Sequence, residues 1–126
     1  MFIVLATAFL LVCNQLQAQT ATPKPPKVSD IFLEFVSKEL ELTPTETAGI
    51  QPLVKQYLSE RGKTARTFKD PLEREQRILS LKMKYRREMT KVIGSQKATR
   101  FFTSEQSFRR KVKEVLRERQ QQKKNN

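Results

Sequence analysis

The chain has no histidine, no tryptophan and a single cysteine, Cys13, among its 126 residues. Without histidine it lacks the most common general base and the most common zinc ligand of proteins. One cysteine cannot form a disulfide within the chain. Glycine occurs only 3 times, and no glycine-rich phosphate-binding loop is present. We therefore expect no enzymatic activity, no cofactor and no metal site.

Amphipathic helical patterns dominate what remains. A hydrophobic content of 37% in 126 residues suits one domain with a single core. Residues 81–119 show two apolar stripes at helical spacing, separated by Gly94 and Ser95, which predicts an αα-hairpin. The predicted fold is all-α, with about four helices in bent antiparallel hairpins. The residues expected in its structural core are Tyr57, Tyr85, Phe101, Glu105, Phe108 and Val112.

The ends of the chain differ from its middle. Residues 2–12 form an uncharged apolar run, followed by polar residues and Ala18, a pattern typical of a cleaved secretory signal. We predict a signal peptide over 1–18, a tether rich in proline and lysine over 19–27, a helical domain over 28–119 and a disordered polar tail over 120–126. A disordered or partly buried hydrophobic start is the alternative interpretation.

Two helix starts carry specific capping signals. Thr43 precedes Pro44, and Glu46 follows at the third helical position, which together form a capping box. Asp70 and Pro71 repeat this start chemistry. Pro52 lies inside the helix that follows Thr43, so we expect a bend or a new start there.

The first helix is predicted from a cap at Ser29 to about Leu42, and it is apolar around most of its circumference. Phe32, Phe35 and Leu40 lie on different sides of it. Such a helix must be buried in its own domain, in a dimer or in the groove of a client protein. The sequence leaves these three possibilities open.

Charge is distributed unevenly. The net charge is +12, but residues 28–60 carry −4 and residues 61–126 carry +14. One interpretation of this basic surface is a solvated face that maintains solubility. The other is a platform that attracts acidic or unfolded chains, which Phe32, Phe35 and Leu40 would then hold. The residues predicted to form the basic surface are Arg86, Arg87, Arg100, Arg109, Arg110, Lys113 and Arg117.

Glu105 falls on the same helical arc as Phe101 and Val112, although a buried carboxylate is costly unless it is paired. It is predicted to form a structural ion pair, with an arginine such as Arg86, or to contact a client or a second subunit. A nucleic-acid partner is not expected, because the export signal, the scarcity of exposed aromatic residues and the absence of a helix-turn-helix spacing all argue against it.

The motifs together resemble a known family. The segment Leu42-Thr43-Pro44-Thr45-Glu46, the residues that follow it and the late run Glu105–Arg110 are similar to the Spy/CpxP-like family of small periplasmic LTxxQ-motif proteins, particularly its Bacteroidetes versions. The similarity covers about residues 30–118. Two departures are Glu46 in place of glutamine and a second motif reduced to residues 93–97.

The resemblance implies an all-helical, cradle-shaped homodimer in the periplasm. It also implies an ATP-independent chaperone that binds unfolded or acidic proteins, or alternatively an envelope-stress regulator that docks on a membrane signalling partner. The zinc binding of some relatives is not carried over, because the predicted mature chain has neither histidine nor cysteine.

Overall fold

A computed structural model of the protein describes residues 27–125. These residues form three helices: α1 (Val28–Glu39), α2 (Pro44–Thr67) and α3 (Pro71–Lys124). The all-helical prediction is confirmed, and no strand occurs within this range. None of the described helices is long and apolar enough to cross a membrane. The predicted signal peptide and all of the predicted tether except Lys27 lie outside the described residues.

The bounds of α1 differ from those predicted. The helix begins at Val28, and the preceding Lys27 makes no side-chain cap, so Ser29 lies inside the first turn instead of capping it. The helix ends at Glu39 because the chain turns back through Glu41, whose φ is 52°. In that turn the Leu42 N–H donates to the Ser37 carbonyl at 3.0 Å, a bond that closes a helix C-terminus.

The predicted capping box of α2 is confirmed. The Glu46 N–H donates to Thr43 Oγ1 at 3.1 Å, and the Thr43 N–H donates to Glu46 Oε1 at 3.1 Å. Pro44 is the first helical residue, and the helix continues through Pro52 to Thr67 without a new start. The start of α3 is similar, since Asp70 Oδ1 accepts from the Glu73 N–H at 2.8 Å.

The predicted hairpin corner lies within α3, where Gly94 has φ 81° and ψ 163°. In a straight helix Lys82 and Glu105, which are 23 positions apart, would lie about 35 Å from each other. Instead Lys82 Nζ lies 3.9 Å from the Glu105 carboxylate. The chain therefore folds back at Gly94, giving a first arm (residues 71–93) and a second arm (residues 95–124). The described residues form three helices, whereas about four were predicted, because α3 includes both arms.

The core forms where α1 and α2 pack against the two arms. The Phe32 ring of α1 meets the Phe101 ring of the second arm edge-on at 5.5 Å, and the Tyr57 ring of α2 meets the Tyr85 ring of the first arm at 5.5 Å. In the described chain α1 is thus buried in its own domain. The buried apolar residues are Phe32, Val36, Leu40, Ile50, Val54, Tyr57, Tyr85, Met89, Ile93, Ala98 and Phe101.

The second arm continues as a helix through Lys124, so residues 120–124 of the predicted disordered tail are helical. Glutamine, lysine and arginine are good helix formers, which explains how a segment without apolar residues extends the helix.

Gly94→Ala is expected to lower the free energy of unfolding by about 1–3 kcal/mol, because its backbone conformation is essentially restricted to glycine. A straightened corner would also let two chains exchange their second arms, so we expect a larger dimer fraction. Urea unfolding and light scattering measure the two effects. Gly62→Ala is the matched control, since its added methyl group would meet only the flexible end of Arg66, at 3.3 Å. Equal effects of the two substitutions would contradict this explanation of the corner.

Candidate functional site

A buried carboxylate lies where α2 and the two arms meet. The Glu105 side chain is 2% exposed. Its Oε1 accepts from the Tyr57 hydroxyl at 2.6 Å, and its Oε2 accepts from Arg109 Nη2 at 3.1 Å. Arg61 Nε lies 3.6 Å from Oε2, and Lys82 Nζ lies 3.9 Å from Oε1. Three cations thus surround one carboxylate, and the cluster carries an excess of positive charge.

The ion pair predicted for Glu105 is therefore present, but its partner on the first arm is different. Lys82 faces the carboxylate, whereas Arg86, one turn later, is exposed. Arg86 lines a separate hollow of about 170 Å³ between the arms, beside Leu79, Met83 and Phe102.

Two tyrosine hydroxyls join the helices through carboxylates. Burial, reinforced by the adjacent Glu105 carboxylate, raises the pKa of Tyr57 far above its ordinary value. Burial and the hydrogen bond from its hydroxyl to Glu60 Oε1, at 2.8 Å, raise the pKa of Tyr85 to about 12. A tyrosine whose pKa is raised by folding contributes fully to stability at a pH below its unfolded-state pKa of about 10. That contribution is lost as the pH rises through its folded-state pKa.

The predicted motif residues Leu42, Thr43, Pro44 and Glu46 occupy the turn into α2. Glu46 has a second contact, because Lys97 Nζ of the second arm donates to its Oε1 at 3.0 Å. The Thr43 backbone N–H and the Lys97 ammonium hold the pKa of Glu46 below its ordinary value. The motif thus caps α2 and also fastens it to the second arm, which a neutral glutamine would do less strongly.

The seven predicted basic residues do not all remain free. Arg109 is engaged by Glu105, and Arg100 Nη2 donates to the Glu39 carbonyl at 3.3 Å. Lys113 lines a groove beside Arg61 and Arg109, away from the hollow that Arg86 lines. The basic residues are therefore divided between two surfaces. All of them except Arg109 are exposed: Arg86, Arg87, Arg100, Arg110, Lys113 and Arg117.

The predicted apolar client contacts require correction. Phe32 is 1% exposed and Leu40 is 2% exposed, because α1 turns both side chains into the core of its own domain. Phe35 is half-buried, with its ring 5.4 Å from that of Phe108 and under Lys111 Nζ at 5.0 Å. Phe32 and Leu40 do not contribute to an exposed binding patch.

Among the predicted core residues, Val112 also requires correction. Tyr57, Tyr85, Phe101 and Glu105 are buried, and Phe108 packs against the core while remaining half-buried. Val112 is 41% exposed, because the second arm passes beyond the start of α1 at this position.

The sequence assigned Arg110, Lys113 and Arg117 to a basic surface but did not predict that apolar side chains are exposed beside them at the end of the second arm. We call residues 110–124 the projecting arm, in which every residue is exposed. It carries seven basic and two acidic side chains and spans about 22 Å. Three apolar side chains share one face: Val112 is 41% exposed, Val115 46% and Leu116 52%. The sequence signal that could have indicated this surface is the apolar stripe of the second arm, which is longer than the short helix predicted to cover it.

Comparison with family models, curated proteins and solved structures gives no match. The resemblance to the Spy/CpxP-like family stays a prediction. Within residues 27–125 no group of three or more acidic, histidine or cysteine side chains is placed to hold a metal ion.

Proposed function

We propose that the protein is an ATP-independent, periplasmic, chaperone-like protein that binds unfolded or acidic proteins. The observation that carries this proposal is the projecting arm, in which three half-exposed apolar side chains lie among seven basic ones. Contiguous apolar surface of this kind is typical of interaction sites. The resemblance to the Spy/CpxP-like family supports the same function and compartment.

Binding would proceed in two stages. The basic side chains of the projecting arm, such as Arg110 and Arg117, attract an acidic chain over a distance and raise the rate of encounter. Apolar segments of that chain then contact Val115 and Leu116, which lengthens the lifetime of the complex. The arm thus takes the role that the sequence had assigned to Phe32 and Leu40.

A homodimer with a cradle-like surface is part of the same proposal. The first arm exposes large apolar side chains, with Leu72 at 76%, Leu79 at 60% and Met83 at 46% exposure. A second copy that covered them would bury apolar area and leave the projecting arms free. The alternative is a stress regulator that docks the projecting arm on one membrane signalling partner. Such a regulator would bind that partner tightly and protect few unrelated proteins.

The mature chain, from residue 19 onward, is expected to suppress the aggregation of an unfolded acidic model protein, and less so as salt increases. Screening shortens the reach of charge from about 30 Å at 0.01 M to about 8 Å at 0.15 M ionic strength. Light scattering at both salt concentrations measures the effect.

The matched variant carries Val115→Ser and Leu116→Ser, which remove apolar surface and retain the charge. We expect it to lose most of the suppression at both salt concentrations. Suppression equal to that of the unsubstituted chain would contradict the role of the projecting arm. No suppression by the unsubstituted chain would favour the regulator.

A further inference from the structure

A groove of about 380 Å³ lies where the start of α1, the middle of α2 and the second arm meet. Its apolar side chains are Val28, Phe32, Leu58, Phe108 and Val112, and its polar ones are Arg61, Glu105, Arg109 and Lys113. The volume is at the small end of the range of about 300–1,000 Å³ for small-molecule sites. The groove therefore combines an apolar wall with a cationic one.

The cationic side of the groove has guanidinium N–H groups that make no hydrogen bond within the described residues. Glu105, the one acid in the groove, already accepts from Tyr57 and Arg109 and is also faced by Arg61 and Lys82. The Nε–H groups of Arg61 and Arg109 are buried and make no hydrogen bond within residues 27–125, although Arg61 Nε lies 3.6 Å from Glu105 Oε2. Each unsatisfied buried donor has a free-energy cost. Because the Arg61 and Arg109 side chains are 21% and 42% exposed, a ligand acceptor would contact the outer N–H groups of the two guanidinium groups. The local charge and the free donors both favour an anion.

We propose that this groove binds a single-chain aliphatic carboxylate. The carboxylate would lie against the Arg61 and Arg109 guanidinium groups, which match its planar geometry. The hydrocarbon chain would lie along Val28, Phe108 and Val112, which line the groove and are at least partly exposed. The groove shares Val112 and Lys113 with the projecting arm. The proposal nevertheless does not rest on the proposed function, which is tested at Val115 and Leu116 outside the groove.

Titration calorimetry of the mature chain with dodecanoate tests the proposal. We expect saturable binding of one dodecanoate per chain. Decanoate should bind more weakly, by about fourfold for each methylene group removed. Dodecanol, which has the same chain without the charge, should bind at least about tenfold more weakly. Equal affinity for dodecanol, or binding that does not saturate at one per chain, would overturn the proposal.

Two pairs of variants locate the site. Arg61→Gln is expected to weaken dodecanoate binding by about tenfold or more, whereas Arg117→Gln, an exposed cation outside the groove, should change it less than about twofold. Because Arg61→Gln also removes a cation from Glu105, Val28→Asp provides an independent test. Val28 is 69% exposed at the start of α1, where an aspartate is compatible with the helix.

Val28→Asp places a negative charge in the groove, and we expect it to weaken dodecanoate binding by about tenfold or more. Ser29→Asp, one residue later and outside the groove lining, is its control and should have a much smaller effect. Leu116→Ser should leave dodecanoate binding unchanged. Equal losses from Val28→Asp and Ser29→Asp, or a loss from Leu116→Ser, would overturn the proposal. Tighter binding of a peptide with an apolar C-terminal residue would also overturn it, by assigning the groove to protein chain ends.

Discussion

Glu105→Ala is expected to lower the free energy of unfolding by about 3–5 kcal/mol. Three cationic groups lie within 4 Å of this carboxylate, at 3.1, 3.6 and 3.9 Å. Its removal would leave them facing one another across a cavity, and it would leave the Tyr57 hydroxyl without its acceptor at 2.6 Å. The repulsion among the cations and the cost of the unsatisfied Tyr57 hydroxyl would both lower the free energy of unfolding.

Urea unfolding monitored by circular dichroism measures this effect. Glu114→Ala is the matched control, because Glu114 is an exposed glutamate on the same arm, and a change within about 0.5 kcal/mol is expected for it. Adding Arg109→Leu to a Glu105→Leu variant should recover part of the loss, since it removes one of the uncompensated charges. A Glu105→Ala loss no larger than that of Glu114→Ala would show that Glu105 is not paired as described.

Phe101→Ala is expected to cost about 3–5 kcal/mol of unfolding free energy. The Phe101 ring is fully buried and lies among the rings of Phe32, Tyr57 and Phe102, with centroid distances of 5.5, 6.1 and 5.1 Å. These residues come from α1, α2 and the second arm. A cavity at Phe101 would therefore weaken the contact between all three elements at once.

Phe102→Ala is the comparison for this variant. Phe102 is adjacent in sequence but half-buried beside the hollow between the arms, so the surrounding side chains and water can fill its space. We expect a clearly smaller loss of stability, measured by the same urea titration. A larger loss for Phe102→Ala would place the centre of the core nearer to the hollow than the structure has it.

Local chemistry explains what could be predicted from the sequence. The capping box of Thr43 and Glu46 depends on residues three positions apart, and the corner at Gly94 depends on one residue that can adopt a positive φ. The buried positions Tyr57, Tyr85 and Phe101 follow from helical periodicity. In each case the information lies within one or two turns of a helix.

Long-range register explains what could not be predicted. Periodicity places Glu105 on an inward face, but only the pairing of the two arms decides that Lys82 and not Arg86 faces it. The same limitation applies to Val112 and α1. An apolar stripe does not specify how far a short helix will cover it, so Val112 was predicted to be buried and Phe32 to be available to clients.

The candidate binding surface arises because α1 is shorter than the second arm that it covers. Helix α1 has 12 residues and spans about 18 Å, whereas the second arm continues well beyond the start of α1. The apolar stripe of the second arm emerges from the domain at Val112 and continues through Leu116 among basic residues. The apolar stripe of the second arm therefore changes from covered to exposed, although the spacing of its apolar residues in the sequence stays the same.

Photo-crosslinking is the most direct test of the projecting arm as the client-binding surface. A photoreactive phenylalanine analogue would replace Leu116 in one variant and Gln56, an exposed residue of α2, in another. Each variant would be irradiated with an unfolded acidic protein at low salt. We predict strong crosslinking from position 116, little from position 56, and a decline at position 116 as salt is raised. Equal crosslinking from both positions, or none from position 116, would contradict binding at the projecting arm.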